Sequence, residues 1–404
     1  MELKPRSYEK IVQLMHKGVD ISNPLALDIG DEVNIDRISG KGVTLYPGCR
    51  IYGAKTVISA GARLGAEAPV TVDDCQLGPK VELKGGYFKK SVFLEKANMS
   101  FGAHVREGSI LEEEANGAHC VGLKQTILFP FVTLGSLINF CDCLMAGGTS
   151  RKDHSEVGSS YIHFNFTPDG NKTTASLFGD VPRGVMLNQP AIFLGGQGGA
   201  VGPVRLGYGN VVAAGSILRD DIPEDRKFII VKPHPGTQRD FVPHAYKNLT
   251  RIVANNIIYL ANLTALEQWY IHIRQPFFST QELGSLVYAG ALDTLVLAKK
   301  ERTSRLTAMV EKTRKTDAAG RKLHESITEV CALFSGEQAA AGRDGFLAAF
   351  HDATKGTAAD YIQTIQKLPP DVSAKGVQWL QQVIDSLCER AGALLKPMNL
   401  FHNK

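Results

Sequence analysis

Aliphatic residues recur at every sixth position through much of the first half of this chain. Ile29 to Ile35, Leu45 to Ile51, Ile58 to Leu64, Leu77 to Leu83, Leu128 to Leu134 and Leu206 to Val212 all keep that step. A glycine or small residue often follows the aliphatic one, as in IGDEVN and LGYGNV. A period of six matches neither the 3.6-residue turn of a helix nor the strict alternation of a half-buried strand. It suits a triangular coil of very short parallel strands, six residues to a face, with the aliphatic side chain of each hexad pointing inward. One coil then takes about eighteen residues, and residues eighteen apart become ladder neighbours about 4.8 Å apart.

The repeat predicts a solenoid over residues 23–225, preceded by a short amphipathic segment (1–22) in which Tyr8, Ile11, Val12 and Met15 fall at helical spacing. LKGGYFKKSVF and CLMAGGTSRKDHSEVG break the step and are expected as loops pushed out at corners. An extended stretch at 226–243, KFIIVKPHPGTQRDFVP, leads to helical periodicity over 244–404, where Leu249, Ile252, Val253, Asn256, Ile257, Leu260 and Leu263 mark one face. A domain of several antiparallel helices is expected there, covering the end of the coil and its strand edges.

Composition narrows the partners. With 45 basic and 41 acidic residues the net charge is only +4, and no long cationic run points to nucleic acid or to a membrane surface. Charges run through MELKPRSYEKIVQLMHKG where a signal peptide would be apolar, and no apolar run reaches a membrane-spanning length, so a cytoplasmic protein is expected. Seven cysteines include Cys141-x-Cys143 but no C-x-x-C pair, which favours buried reduced thiols over a zinc cage. No metal is expected.

Hexad coils of this kind resemble the left-handed parallel β-helix of the hexapeptide acyltransferases. The chain resembles the acetyltransferase half of the bifunctional N-acetylglucosamine-1-phosphate uridyltransferase / glucosamine-1-phosphate acetyltransferase family. That family carries Asn-Tyr-Asp-Gly followed closely by Asn-Lys; here NFTPDGNK (Asn165 to Lys172) has Phe166 for the Tyr and two inserted residues. VAAGSILRDDI matches the closing hexads, and the similarity covers roughly residues 25–225. The resemblance implies a mainly β fold, a left-handed parallel β-helix followed by the α-helical domain, working as a homotrimer. It also implies a sugar phosphate or nucleotide sugar related to UDP-GlcNAc as substrate and acetyl-CoA or another acyl-CoA as co-substrate. The family's uridyltransferase machinery, an α/β domain with a Gly-rich nucleotide loop, has no counterpart in the sequence.

Carried over without gaps, the family's phosphate-binding Arg and Lys fall on Arg106 and Lys124. These are eighteen apart and so adjacent on one face, with Asp142 a further eighteen on. Two stacked cations repel by about 1 kcal/mol in water-like dielectric, which an anion between them relieves. The family's catalytic His falls on Ser136, whose hydroxyl is no base at neutral pH; His154 and His163 are the histidines considered as replacements. The family's sugar-contacting Tyr becomes Asn139, with Asp169 and Lys172 as further substrate-site residues. Asn165, Phe166, Gly196 and Ala214 align with the acyl-donor contacts. FLGGQGGAVGPV permits close backbone approach to a ligand, and glycine at tight corners explains it equally well. A carbonic-anhydrase-like metal site built from His104, His119, His154 and His163 lacks the closely spaced downstream pair. Two functions follow: an acyl transferase, and a non-catalytic scaffold or sugar-nucleotide sensor from which the base has been lost.

Overall fold

The computed structural model describes residues 4–165, 172–233, 235–238, 240–244, 246, 248–315, 317–336, 338, 342–355 and 360–401. After helix α1 (Tyr8–Lys17), the chain winds into a parallel β-solenoid of about eleven turns, followed by a helical region from Leu249 onward. Three walls are recognisable. The first stacks eleven two-residue strands from Asp20–Ile21 through Thr133–Leu134 to Phe228–Ile229. The second runs from Asp28–Ile29 through Ala103–Val105 and the first half of Val121–Leu128 to Ile217–Leu218. The third contains Val57–Ile58, Ser91–Phe93, Ser109–Leu111, the second half of Val121–Leu128 and Ser176–Phe178.

The hexad aliphatics do point inward: Ile29, Leu45, Ile58, Leu64, Leu77, Leu83, Leu128, Leu134, Leu206 and Val212 are all buried. Each such side chain contributes on the order of 1.5–3 kcal/mol by leaving water, so the ladders specify register as well as stability. LKGGYFKKSVF is not a loop. It forms the strands Gly86–Lys89 and Ser91–Phe93, with Lys90 alone at the corner in the left-handed region, φ 47°. CLMAGGTSRKDHSEVG stays in the third wall through Met145 and then leaves as a small antiparallel hairpin, Gly148–Ser150 with Asp153–His154.

Turn length varies with the corner. After Arg106 the corner takes two residues, Glu107 and Gly108; after Lys124 it takes Gln125 alone, again at left-handed φ. The next coil is therefore one residue shorter, so that Lys124 pairs with Cys141 and Asp142 falls at the following corner, φ 58°. The expected stack of Asp142 on Lys124 does not form.

The helices are α2 (Val181–Gly184), α3 (Leu249–Trp269), α4 (Gln275–Ser279), α5 (Gly284–Lys312), α6 (Ala318–Ala332), α7 (Arg343–Thr354), α8 (Tyr361–Gln366) and α9 (Pro370–Leu394). They do not sit on the end of the coil. Helix α3 runs down the third wall from Asp221, which accepts from Asn255 Nδ2 at 2.9 Å, to Glu112, which accepts from Tyr270 at 2.6 Å. Helix α5 climbs back, with Asp293 on Lys55 at 2.8 Å and Arg302 on Asp142 at 2.6 Å. Enclosed between that wall and helices α5 and α9, α3 is buried without interruption from Ile252 to Trp269. A helix covered all round needs no polar face, which is why its periodicity marks only part of the buried surface. Among the described residues, no helix is long and apolar enough to cross a membrane.

Candidate functional site

The second wall is the one that carries the sequence-derived candidates, and its strands set three outward columns. Along its centre, Tyr87, His104, Gly122 and Asn139 are successive register partners. Two residues further along each strand, Arg106 stands one place beyond the paired residues and bonds through its backbone N–H to Leu123 O; Lys124 pairs with Cys141 above it. The corner between first and second walls stacks Phe101, His119, Ser136, Ser159 and Gly196 through backbone bonds from each following residue.

Arg106 and Lys124 therefore share a wall on adjacent rungs. Lys124 Nζ lies 2.7 Å from Glu107 Oε1, whereas the Arg106 guanidinium is exposed and has no ion-pair or hydrogen-bond partner among the described residues. Burial opposes ionisation of Glu107, but Lys124 and Arg106 outweigh it and hold its carboxyl below the usual range. Burial, with Asp142 next to it, pushes the Cys141 thiol up to about 11 despite the same two cations. It is a protonated neighbour, not a nucleophile.

At the corner, His119 lies one rung beneath Ser136. Its Nδ1 is 2.9 Å from Ser136 Oγ, its ring stacks on Phe101 with centroids 5.9 Å apart, and the Ser136 N–H donates to Ser159 Oγ at 3.2 Å. His119 is exposed. Sequence reasoning weighs this histidine only as a metal ligand. The signal that finds it is coil length: a coil one residue short of eighteen places His119 directly below Ser136.

Neither histidine considered as a replacement base reaches this corner. His163 occupies an inward slot of the second wall, in edge contact with Phe140 and Phe178, with Nε2 2.7 Å from Ser176 Oγ. Burial drives its pKa down to about 4, so it is a neutral core residue. His154 sits in the hairpin before Glu156–Val157, with Nδ1 3.0 Å from Arg151 O. Ser136 lies beyond the far end of the strand stacked beneath, Thr133–Leu134.

Asn139 is exposed on the central column, and Gly122 beneath it leaves the wall bare: a Cβ there would meet nothing closer than 3.7 Å. Gly196 and Ala214 lie further up the Ser136 corner, both reachable from solvent. The glycine-rich run also has a packing cause, since a Cβ at Gly195 would fall 2.3 Å from Ala214 N and one at Gly196 2.8 Å from Ser159 O. Asn165 stands at the opposite corner and accepts from Thr174 Oγ1 at 3.1 Å. The Lys172 carbonyl is taken by Arg302 at 3.0 Å, and Arg302 also holds Asp142; the latter faces the helices and not the cation column. Phe166 and Asp169 lie outside the described residues. Among those described, no group of three His, Cys, Asp or Glu is placed to hold a metal ion.

Hexad coils stacked in parallel walls fit a hexapeptide-repeat acetyltransferase domain. No protein-family profile matches the chain. Curated relatives do: the solenoid is related to GlmU, the chain being 26% identical over 215 residues to the Bifunctional protein GlmU of Thermotoga maritima, covering 53% of this chain and 42% of that one. The proteins of the same name from Carboxydothermus hydrogenoformans and Trichlorobacter lovleyi are 26% identical over 233 residues and 27% over 223. These matches cover 58% and 55% of this chain and 46% and 43% of the relatives. The chain thus spans less than half the length of the curated relatives it matches.

Proposed function

We propose that the protein is a hexapeptide-type transferase that moves an acyl group from a CoA donor to an amino group of a sugar phosphate or nucleotide sugar. The observation that carries this reading is the His119–Ser136 contact, which puts an imidazole back at the corner where the resembled family keeps its base. With Nδ1–H donating to Ser136 Oγ, Nε2 is left as the basic atom. The acceptor amine loses its proton to Nε2 and attacks the thioester carbonyl. The C–N bond forms, the C–S bond breaks, and the proton returns to the departing thiolate. Arg106 and Lys124 hold the acceptor's phosphate, Asn139 lies on the floor beside it, and Gly196 and Ala214 leave the corner low enough for an extended donor arm. The protein works as a cytoplasmic homotrimer, a reading supported by the exposed apolar column Phe193, Val211 and Phe228 on the first wall.

The test is release of free thiol from acetyl-CoA in the presence of an acceptor with a free amino group, glucosamine 1-phosphate or UDP-glucosamine. His119→Gln is expected to lower kcat by about 10²–10⁴-fold with little change in acceptor binding. Ser136→Ala is expected to shift the pH profile and lower kcat less, because serine only orients the ring. Thermal stabilisation by UDP-GlcNAc without any thiol release in the wild type would replace this reading with that of a sugar-nucleotide sensor.

A further inference from the structure

The cation column continues below Arg106. Lys89 pairs with Asp73 in register and stands one place beyond the strand pairing that sets Tyr87 on His104 and Phe88 on Val105, which puts it on the rung beneath Arg106. Lys89 Nζ is 2.7 Å from Asp73 Oδ2, and Lys124 Nζ is 2.7 Å from Glu107 Oε1. Both pairs are partly solvated and so contribute little that a stronger anion would have to overcome. Three cations on three consecutive rungs extend over two strand spacings, about 10 Å. A single phosphoryl group is served by two such rungs; a third matches the added length of a diphosphate. Beside Lys89 and Arg106 the central column presents Tyr87 and an exposed His104, with ring centroids 5.3 Å apart and planes at 81°. Above His104 the column is bare at Gly122, and it leads across to His119 and Ser136.

From this juxtaposition we infer that the acceptor is a nucleoside-diphosphate sugar and not a sugar monophosphate. Its diphosphate lies along Lys89, Arg106 and Lys124, its sugar on the open floor at Gly122 and Asn139, and its nucleoside against His104 and Tyr87. The inference rests on the transferase reading for the identity of the site, but concerns only what the wall binds. Aromatic faces supply the stacking energy for a base, and arginine and lysine supply charge-assisted bonds to phosphate oxygens.

Titration calorimetry on the full chain with UDP-GlcNAc, UDP and glucosamine 1-phosphate tests it. The nucleotide sugar should bind at least about tenfold more tightly than glucosamine 1-phosphate. Lys89→Ala should weaken UDP-GlcNAc and UDP about tenfold and leave glucosamine 1-phosphate unchanged. His104→Ala should weaken the two uridine ligands by a similar factor. Arg106→Ala should weaken all three ligands. Equal affinity for the monophosphate and the nucleotide sugar, or undiminished UDP binding in Lys89→Ala, overturns the inference. Failure of the transferase reading is separable, because it appears as absent thiol release from acetyl-CoA while this binding pattern persists.

Discussion

Replacing Arg274 with methionine should loosen the helical region from the solenoid in a pH-dependent way. Arg274 follows α3 in a π-helical turn, Tyr270–Arg274, and its side chain is only 1% exposed. Its two terminal nitrogens meet Glu113 at 2.6 and 3.1 Å, and its guanidinium lies 3.7 Å from the centre of the Tyr361 ring. Two charges about 4 Å apart at an effective dielectric near 20 attract by about 4 kcal/mol. Removing one partner of a buried pair generally costs about 3–5 kcal/mol. Glu112 sits alongside. Burial raises its carboxyl to about 7, with Arg274 opposing that rise and Glu113 adding to it. In Arg274→Met both acids lose their cation and Glu112 loses the charge that opposed its rise, so the folded state holds a proton that the unfolded chain, titrating near 4.5, has already released. Stability of the variant then falls as pH rises through that window, and its deficit against wild type is largest above about pH 7. Urea unfolding followed by the helical far-UV signal should show a loss of about 3–5 kcal/mol at about pH 8 and less than half of it at about pH 5. Arg274→Met combined with Glu113→Leu should recover part of the loss, because only Glu112 is then left without its cation. An equal deficit at both pH values, or no recovery in the double variant, would refute the reasoning.

Other outcomes follow from the solenoid itself. His163 is buried neutral with a pKa near 4, below its ordinary 6.5, so the stability it contributes is present above about pH 6.5 and lost as pH falls toward 4; His163→Gln should flatten that part of the pH–stability curve. Arg106→Ala should weaken phosphate-bearing ligands more than Lys124→Ala, since Glu107 already neutralises the lysine, and both variants should keep the wild-type far-UV spectrum. Phe228 is 70% exposed at the end of the first wall; Phe228→Asp should lower the mass measured by light scattering below that of the proposed trimer, and an unchanged mass would count against a contact on this wall.

The hexad step was enough to read the three walls, because an inward aliphatic every sixth residue leaves a chain few other ways to bury it. What it did not carry was the length of each coil. That length is set at corners, where a left-handed residue need not be glycine: Lys90, Gln125 and Asp142 all take φ between 47° and 58°. Asn and Asp tolerate that region at modest cost, and a lysine or glutamine there gives no sequence signal. One unread corner residue, Glu107, is enough to move Asp142 off the cation column and to hide His119 beneath Ser136. His163 was misplaced for a related reason. Its slot follows the hairpin at 148–154, which lengthens the coil and obscures its inward phase against Phe140.

The acidic residues of the third wall complete the physical picture. Asp142 reads in sequence as a member of the cation column and Glu112 and Glu113 stand out in no pattern, yet Glu112 and Glu113 are buried and Asp142 is nearly so. Each has a specific partner from the helices: Tyr270, Arg274 and Arg302. Carboxylates sealed under a helical layer are costly unless paired, so their presence on this wall, and the helices' complementary residues, mark it as built for permanent cover. A second copy of the chain cannot then use that wall. It must approach the first or the second, and the second is where the cations, the bare floor and the histidine corner stand open. The helical region thus acts by elimination: occupying one of three faces, it leaves the other two open.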